Sequence, residues 1–242
     1  MIETEQILII FLITAVGGFI QRVTGFGFGI FVMLFFPYIL KTHTSAAAIS
    51  TLVSSCISAY NAIMYRKKVP YKATVPLLLS ALVTIPVAVR LSVLVTGDFF
   101  NKVLGVLLIC LSIWFLFFSD RVKIKPSVKN GIISGGLAGV LTGLFSTGGP
   151  PVVLYLVNAF SDNLSYFAAT QFFFGLTGIY STAVRAISGI ITSEVLVFSA
   201  VGFAGSIVGN LFGKLVFEKL NKQRLRQIIY IGMIISGIIM VL

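Results

Sequence analysis

Two short stretches of this chain set threonine, serine and glycine together in surroundings that are otherwise almost wholly apolar. The first is Thr24-Gly25-Phe26-Gly27-Phe28-Gly29. The second is Thr142-Gly143-Leu144-Phe145-Ser146-Thr147-Gly148-Gly149-Pro150-Pro151. Glycine lacks the side chain that would hold a ligand away from the main chain. Proline suits the first turn of a helix, where N–H groups have no partner in any case. A helix that stops and restarts at such a stretch turns free N–H groups, and a partial positive charge, toward the gap. The hydroxyls of Thr24, Thr142, Ser146 and Thr147 add further donors. Neither stretch contains Asp or Glu. The chemistry this predicts is recognition of an anion by uncharged donors rather than coordination of a cation.

The residues expected to contact the substrate are Thr24, Gly25, Gly27, Thr142, Gly143, Ser146, Thr147 and Gly148, together with Arg22. Arg22 stands two residues before the first stretch. An arginine deep in an apolar segment is costly and marks function, and a guanidinium fork suits oxyanions. Arg22 is therefore expected to supply the main positive charge. Arg90 and Arg185 fall toward the outer ends of their segments, where long basic side chains snorkel. They are assigned to gating or secondary roles, as are the intramembrane amides Asn61 and Gln171.

Little else in the chain could do chemistry. His43 is the only histidine and stands in a short connection. The seven acids occupy termini and connections, which leaves no carboxylate relay. Cys56 and Cys110 lie inside apolar runs and read as small buried hydrophobes. A membrane enzyme would need a nucleophile–base pair or a metal cluster. The chain is expected not to be an enzyme, with no catalytic residues, metal or cofactor.

The elements that must position these stretches follow from composition. The 242 residues are 57% hydrophobic and 10% charged, with a mean hydropathy of +1.05. Soluble domains carry about 25% charged residues, so the solvent is a bilayer. Apolar segments are expected at 7–23, 28–40, 45–65, 74–96, 100–118, 131–145, 150–160, 165–190, 194–216 and 227–242. The runs are solid rather than alternating, which favours helices over a barrel. The start, MIETEQ, has acids and no basic region, so no cleaved signal peptide is expected.

A net charge of +11 would suggest nucleic acid in a soluble protein. Here most of the basic residues sit in three connections, around Arg66–Lys72, Arg121–Lys129 and Lys214–Arg226. These follow the third, fifth and ninth segments and so share one side. The positive-inside rule places them in the cytoplasm. The expectation is a multi-pass protein of the cell (plasma) membrane with both termini outside.

The chain also repeats itself. Gly17-Gly18 returns as Gly135-Gly136, and Thr24-Gly25 as Thr142-Gly143, at an offset of 118. Ala48 and Tyr60 return as Ala168 and Tyr180, at an offset of 120. Five segments is an odd number, so the second copy must cross in the opposite sense. The basic connections change sides between copies as this requires. Segments 28–40 and 150–160 are too short for a hydrocarbon core about 30 Å thick, which predicts a re-entrant hairpin in each copy. The fold class is thus an all-α polytopic membrane protein. It consists of two inverted five-segment repeats, each with a broken, re-entrant helix pair plus three spanning helices. Residues 1–120 form the first repeat, 121–130 a cytoplasmic connection, and 131–242 the second repeat. Repeats with interrupted helices mark secondary transporters.

With TGFGFG in one half and GLAGVLTGLFSTGGPPVVLYL in the other, the chain resembles the TauE/SafE sulfite-exporter family, also called the toluene sulfonate uptake permease family, over nearly its full length. The resemblance implies a small polytopic transporter for sulfite, a sulfonate such as taurine or sulfoacetate, or a related oxyanion. The functional expectation is a secondary transporter working by alternating access. An anion-selective channel is the alternative, and saturable counter-exchange would separate the two. The expected partners are the lipid bilayer and a small anionic sulfur-containing substrate, not nucleic acid. A homo-oligomer is left open.

Overall fold

The computed structural model describes residues 4–95, 97–117, 125–160 and 162–216, together with 231, 234–235, 237–238 and 240–242. Among the described residues all regular structure is helical. In chain order the helices are α1 (Thr4–Thr24), α2 (Phe28–Val32), α3 (Phe36–Ile39), α4 (His43–Met64) and α5 (Tyr71–Leu94). They continue with α6 (Gly97–Phe117), α7 (Val128–Phe145), α8 (Gly149–Ala159), α9 (Asn163–Ile187) and α10 (Ser193–Val216). A single 3-10 turn, Arg66–Lys68, joins α4 to α5. The basic residues expected at 219–226, and residues 121–124 of the 121–130 connection, lie outside the described residues.

Six helices are long and apolar enough to cross a membrane: α1, α4, α5, α6, α7 and α10. Half of the tenth expected segment, 227–242, lies outside the described residues; the first nine agree closely with the helices, with one difference. The second segment is two helices rather than one. Pro37 lies in the first turn of α3. It has no N–H to offer the Met33 carbonyl, so α2 ends there and the chain restarts with proline in the position it tolerates.

Helix starts are set by short polar residues. The Thr42 hydroxyl accepts from the Ser45 N–H at the start of α4, and the Asp162 carboxylate accepts from the Ser165 N–H at the start of α9. These two caps lie 120 residues apart, at the offset of the repeat.

Three pairings build the bundle: α1 along α10, α5 along α7, and α4 along α9. Lipid tails are as apolar as leucine, so such helices associate through close backbone approach at small residues. A methyl on Gly209 would overlap the Ala15 carbonyl, and one on Gly135 would overlap the Leu77 carbonyl. The Gly-Gly pairs of the repeat are therefore packing surfaces: Gly18 lies against Ser206 of α10, and Gly135 against α5. Helix α4 is central, with 56% of its span buried, whereas α6 is peripheral, with 28%. Gly105 of α6 packs against Gly237 near the C-terminus.

Exchanging the two halves of the chain leaves this pattern of pairings intact. The α1–α10 pair becomes α7–α5, the α4–α10 contact becomes α9–α5, and α4–α9 maps onto itself. The short helices obey the same exchange: α2 touches α1 and α4, while α8 touches α7 and α9.

Candidate functional site

Both glycine-rich stretches are helix breaks, and they meet. The first runs from the end of α1 to the start of α2. Gly25 and Gly27 have φ of 83° and 95°, left-handed values that glycine adopts without strain. The second runs from α7 to α8. There a serine, Ser146, takes the left-handed turn with φ 58°. A methyl on Gly29 would overlap the Ser146 carbonyl, and one on Gly149 would lie 3.1 Å from the Phe26 ring.

The two long central helices brace the breaks in a crossed fashion. Thr51 of α4, in the first half, donates to the Ser146 hydroxyl in the second break at 2.8 Å. Ser146 donates in turn to Ser50 at 3.1 Å. Gln171 of α9, in the second half, donates to the Gly25 carbonyl in the first break at 2.9 Å. Asn61 donates to Gln171 at 3.3 Å. The amides Asn61 and Gln171 thus hold the first break in shape from behind.

Between the breaks lies a cavity of about 50 Å³. Of the expected residues, Gly27, Thr142, Ser146, Thr147 and Gly148 line it. Thr24, Gly25, Gly143 and Arg22 do not. The Thr24 hydroxyl is turned into its own break, bonded to the carbonyls of Ile20 and Phe26. Gly143 packs on Ala88 of α5. The Arg22 guanidinium lies over the Phe167 ring, 5.5 Å from its centre.

The wall also contains polar residues that the sequence reading passed over: Gln21, Thr51, Ser54 and Thr177. Their signal was available, because each interrupts an apolar run. Buried polar atoms in folded proteins are nearly always partnered. Here the Thr147 hydroxyl, at 1% exposure, and the Gln21 Oε1 have no partner. Gln21 Nε2 meets the Ser58 hydroxyl at 2.8 Å. A hydroxyl can donate or accept, so the Gln21 amide could be turned over without losing Ser58. Either way one amide heteroatom of this cavity-wall residue is left buried and without a partner. No charged residue lines it.

Two expectations about polar side chains are corrected. Arg185 was expected to reach outward, yet it is 0% exposed. Its Nη2 donates to the carbonyls of Thr142 and Gly143 at 3.1 and 2.7 Å. The last carbonyls of α7 lack helical partners and carry partial negative charge, and they draw the guanidinium inward. Arg90 is exposed, as expected. Cys56 and Cys110 are exposed rather than buried. A membrane helix can present an apolar residue to lipid as readily as to protein, so an apolar run does not imply a core position.

A bundle of apolar helices, six of them long enough among the described residues to cross a bilayer, folded about a partly open, uncharged cavity with several hydroxyls on its wall, defines a polytopic membrane protein. The chain belongs to the sulfite exporter TauE/SafE family, whose description it matches over residues 10–240. This is a family of membrane transporters. No match was found among curated proteins or among solved structures.

Proposed function

We propose that the protein is a secondary transporter, not an enzyme, and that it passes a small sulfur oxyanion through the cavity between the two breaks by alternating access. The observation that carries this reading is the cavity with the unpartnered Thr147 hydroxyl and Gln21 amide on its wall. A polar group left orphaned in a low-dielectric interior is destabilising unless something occupies the site. The first-turn N–H groups of α2, which have no intrahelical acceptor, add donors on one side. Thr142, Ser146 and Thr147 add hydroxyls on the other.

Size favours a compact substrate. At roughly 10–15 Å³ for each water, the cavity holds about four waters. Sulfite, one sulfur with three oxygens, is of that scale, whereas the aminoethyl arm of taurine needs more room. Sulfite is therefore the preferred substrate, in keeping with the name of the family.

Alternating access is supported by the exchange of helix pairings between the halves and by the crossed bracing of the breaks. An inverted repeat lets one half adopt the conformation of the other, which reverses the side of access while the breaks stay in place. The proposed topology has both termini outside and residues 125–129 in the cytoplasm of a plasma-membrane protein, on the distribution of basic residues. An impermeant thiol reagent on intact cells should leave Ser127→Cys unmodified; labelling there would reverse the topology.

The function itself is tested with purified protein in liposomes. Sulfite uptake should saturate, and external sulfite should accelerate release of labelled internal sulfite. Flux that rises linearly without counter-exchange would identify a channel instead.

A further inference from the structure

Thr177, on the cavity wall, begins a buried polar stripe on α9. Residues four apart lie on one face of a helix, so Thr177, Ser181 and Arg185 follow one another along it. All three are essentially without exposure. Along the helix axis the backbones of Thr177 and Arg185 are about 12 Å apart, at ~1.5 Å per residue, and the Arg185 guanidinium at the far end is fully buried. Thr182 stands beside it, one turn above Gly178 on the cavity wall.

The far end of this stripe lacks partners. Arg185 uses only Nη2, on two carbonyls; its Nε and Nη1 have none. The Ser181 and Thr182 hydroxyls are also buried and unpartnered. Helical side chains lean back toward the helix N-terminus, which carries the guanidinium over the turn bearing those hydroxyls. Among the described residues the one ion pair joins Lys41 to Glu194, so no carboxylate neutralises Arg185. Two carbonyl dipoles offset a buried guanidinium only in part. An uncompensated buried charge is strongly destabilising.

The corresponding stripe on α4 is built differently. At the repeat offset, Ile57, Asn61 and Tyr65 stand where Thr177, Ser181 and Arg185 stand, and the adjacent Ser58 takes the place of Gly178. Ser58 is bonded to Gln21 and Asn61 to Gln171. One stripe is closed by hydrogen bonds, while the other ends in free donors around a charge.

We infer that Arg185, with Ser181 and Thr182, forms a second anion site, a station for a small inorganic anion on the α9 side of the central cavity. The inference rests on the anion-transport reading above and adds to it a second bound anion and a route. Every free group there can donate, and all are buried away from the surface, so the chemistry calls for a compact anion rather than a lipid headgroup. An anion leaving the cavity would pass from the Thr177 turn to the Ser181 turn and then to the guanidinium. Substrate oxyanion and chloride share the required chemistry.

The test is calorimetric titration of the full chain in lipid nanodiscs with sodium sulfite, and separately with sodium chloride. Wild-type protein is expected to bind two anions per chain, both sulfite or one of each kind. Because Arg185 also holds α7, the decisive variant is Ser181→Ala/Thr182→Val, which leaves the carbonyl contacts untouched. It should weaken one of the two sites about tenfold or more, the scale of a lost hydrogen bond to a charged ligand, and leave the other within experimental error. Arg185→Gln, where folded, should abolish the same site. Thr147→Val should weaken the other. A single anion per chain that responds to Thr147→Val and ignores Ser181→Ala/Thr182→Val would overturn the second site and leave the central one standing. Arg185 would then be only a clamp on α7. No anion bound by wild type would overturn both readings.

Discussion

The two breaks interrupt their helices at matching places by different means. In the first, glycine supplies both left-handed residues, and the one nearby hydroxyl, Thr24, is consumed by the carbonyls of Ile20 and Phe26. Its contribution to the cavity wall is Phe26 to Ile30, which carry no side-chain hydroxyl. In the second, Ser146 takes the left-handed turn, held by Thr51 and Ser50. Pro150 and Pro151 occupy the first turn of α8 and have no N–H to give. Donation there falls to side-chain hydroxyls, above all to the unpartnered Thr147. The difference teaches that the two halves keep the place of the break but neither its backbone conformation nor its polar groups. Under the proposed function, a substrate between the breaks would meet a glycine-rich face on one side and a hydroxyl-bearing face on the other.

The largest expected effect comes from forcing the breaks apart. Any side chain on Gly29 collides with the Ser146 carbonyl, which is backbone and cannot swing away. Overpacking of this kind costs about 1–3 kcal/mol or more, and Gly29→Val should abolish both transport and cooperative thermal unfolding. Gly149→Ala faces the Phe26 ring instead, a side chain that can tilt. It should lower Tm only slightly and retain most flux. Equal damage from the two variants would mean that the breaks do not meet as described.

A smaller effect sharpens the contrast between the hydroxyls. Thr147→Val keeps the shape and removes an orphaned group. Sulfite affinity should fall about 10- to 100-fold, the value of ~1.5–3 kcal/mol for a hydrogen bond to a charged group, while stability holds or rises. Thr24→Val removes two local hydrogen bonds and should lower stability by about 1 kcal/mol with little change in affinity. Titration calorimetry paired with thermal unfolding checks both. Reversed signatures would return Thr24 to the binding surface.

The smallest effect concerns the helix caps, Thr42 on α4 and Asp162 on α9. The backbone N–H of Ser165 holds the Asp162 carboxyl below its ordinary value of 3.8. A depressed carboxyl contributes stability that is present above the ordinary value and is lost as pH falls through the lowered one. Below pH 3.8 the start of α9 should loosen while that of α4, capped by a neutral hydroxyl, should not. Hydrogen exchange at the two helix starts across that range is the measurement, and Asp162→Asn should remove the dependence at α9.

Much of this was legible in the sequence. The breaks followed from glycine and proline, whereas the caps Thr42, Ser127 and Asp162 were not singled out although their residue types carry that signal. Gly27, Thr142, Ser146, Thr147 and Gly148, grouped by the sequence, line one cavity. What failed was the sorting of like residues by role. Thr24 and Thr147 are the same side chain beside equivalent breaks. One is tied down because the Phe26 carbonyl comes within its reach, and the other is free because nothing does. Arg22 and Arg185 were ranked in the opposite order to their burial.

The sequence by itself determined the solvent, the helices, the two breaks and the duplication, because each depends on properties of contiguous residues: apolar length, proline, glycine and caps. Only the tertiary structure decided which faces look inward. In a bilayer the outward face of a helix is as apolar as the inward one, so periodicity carries no sign of burial. Arg185 is drawn inside by carbonyls more than forty residues away in sequence, Cys56 is turned out to lipid, and Thr51 reaches a break in the opposite half. Those outcomes depend on which helices meet, and that is set by close packing at Gly135 and Gly209 rather than by anything local to the residues themselves.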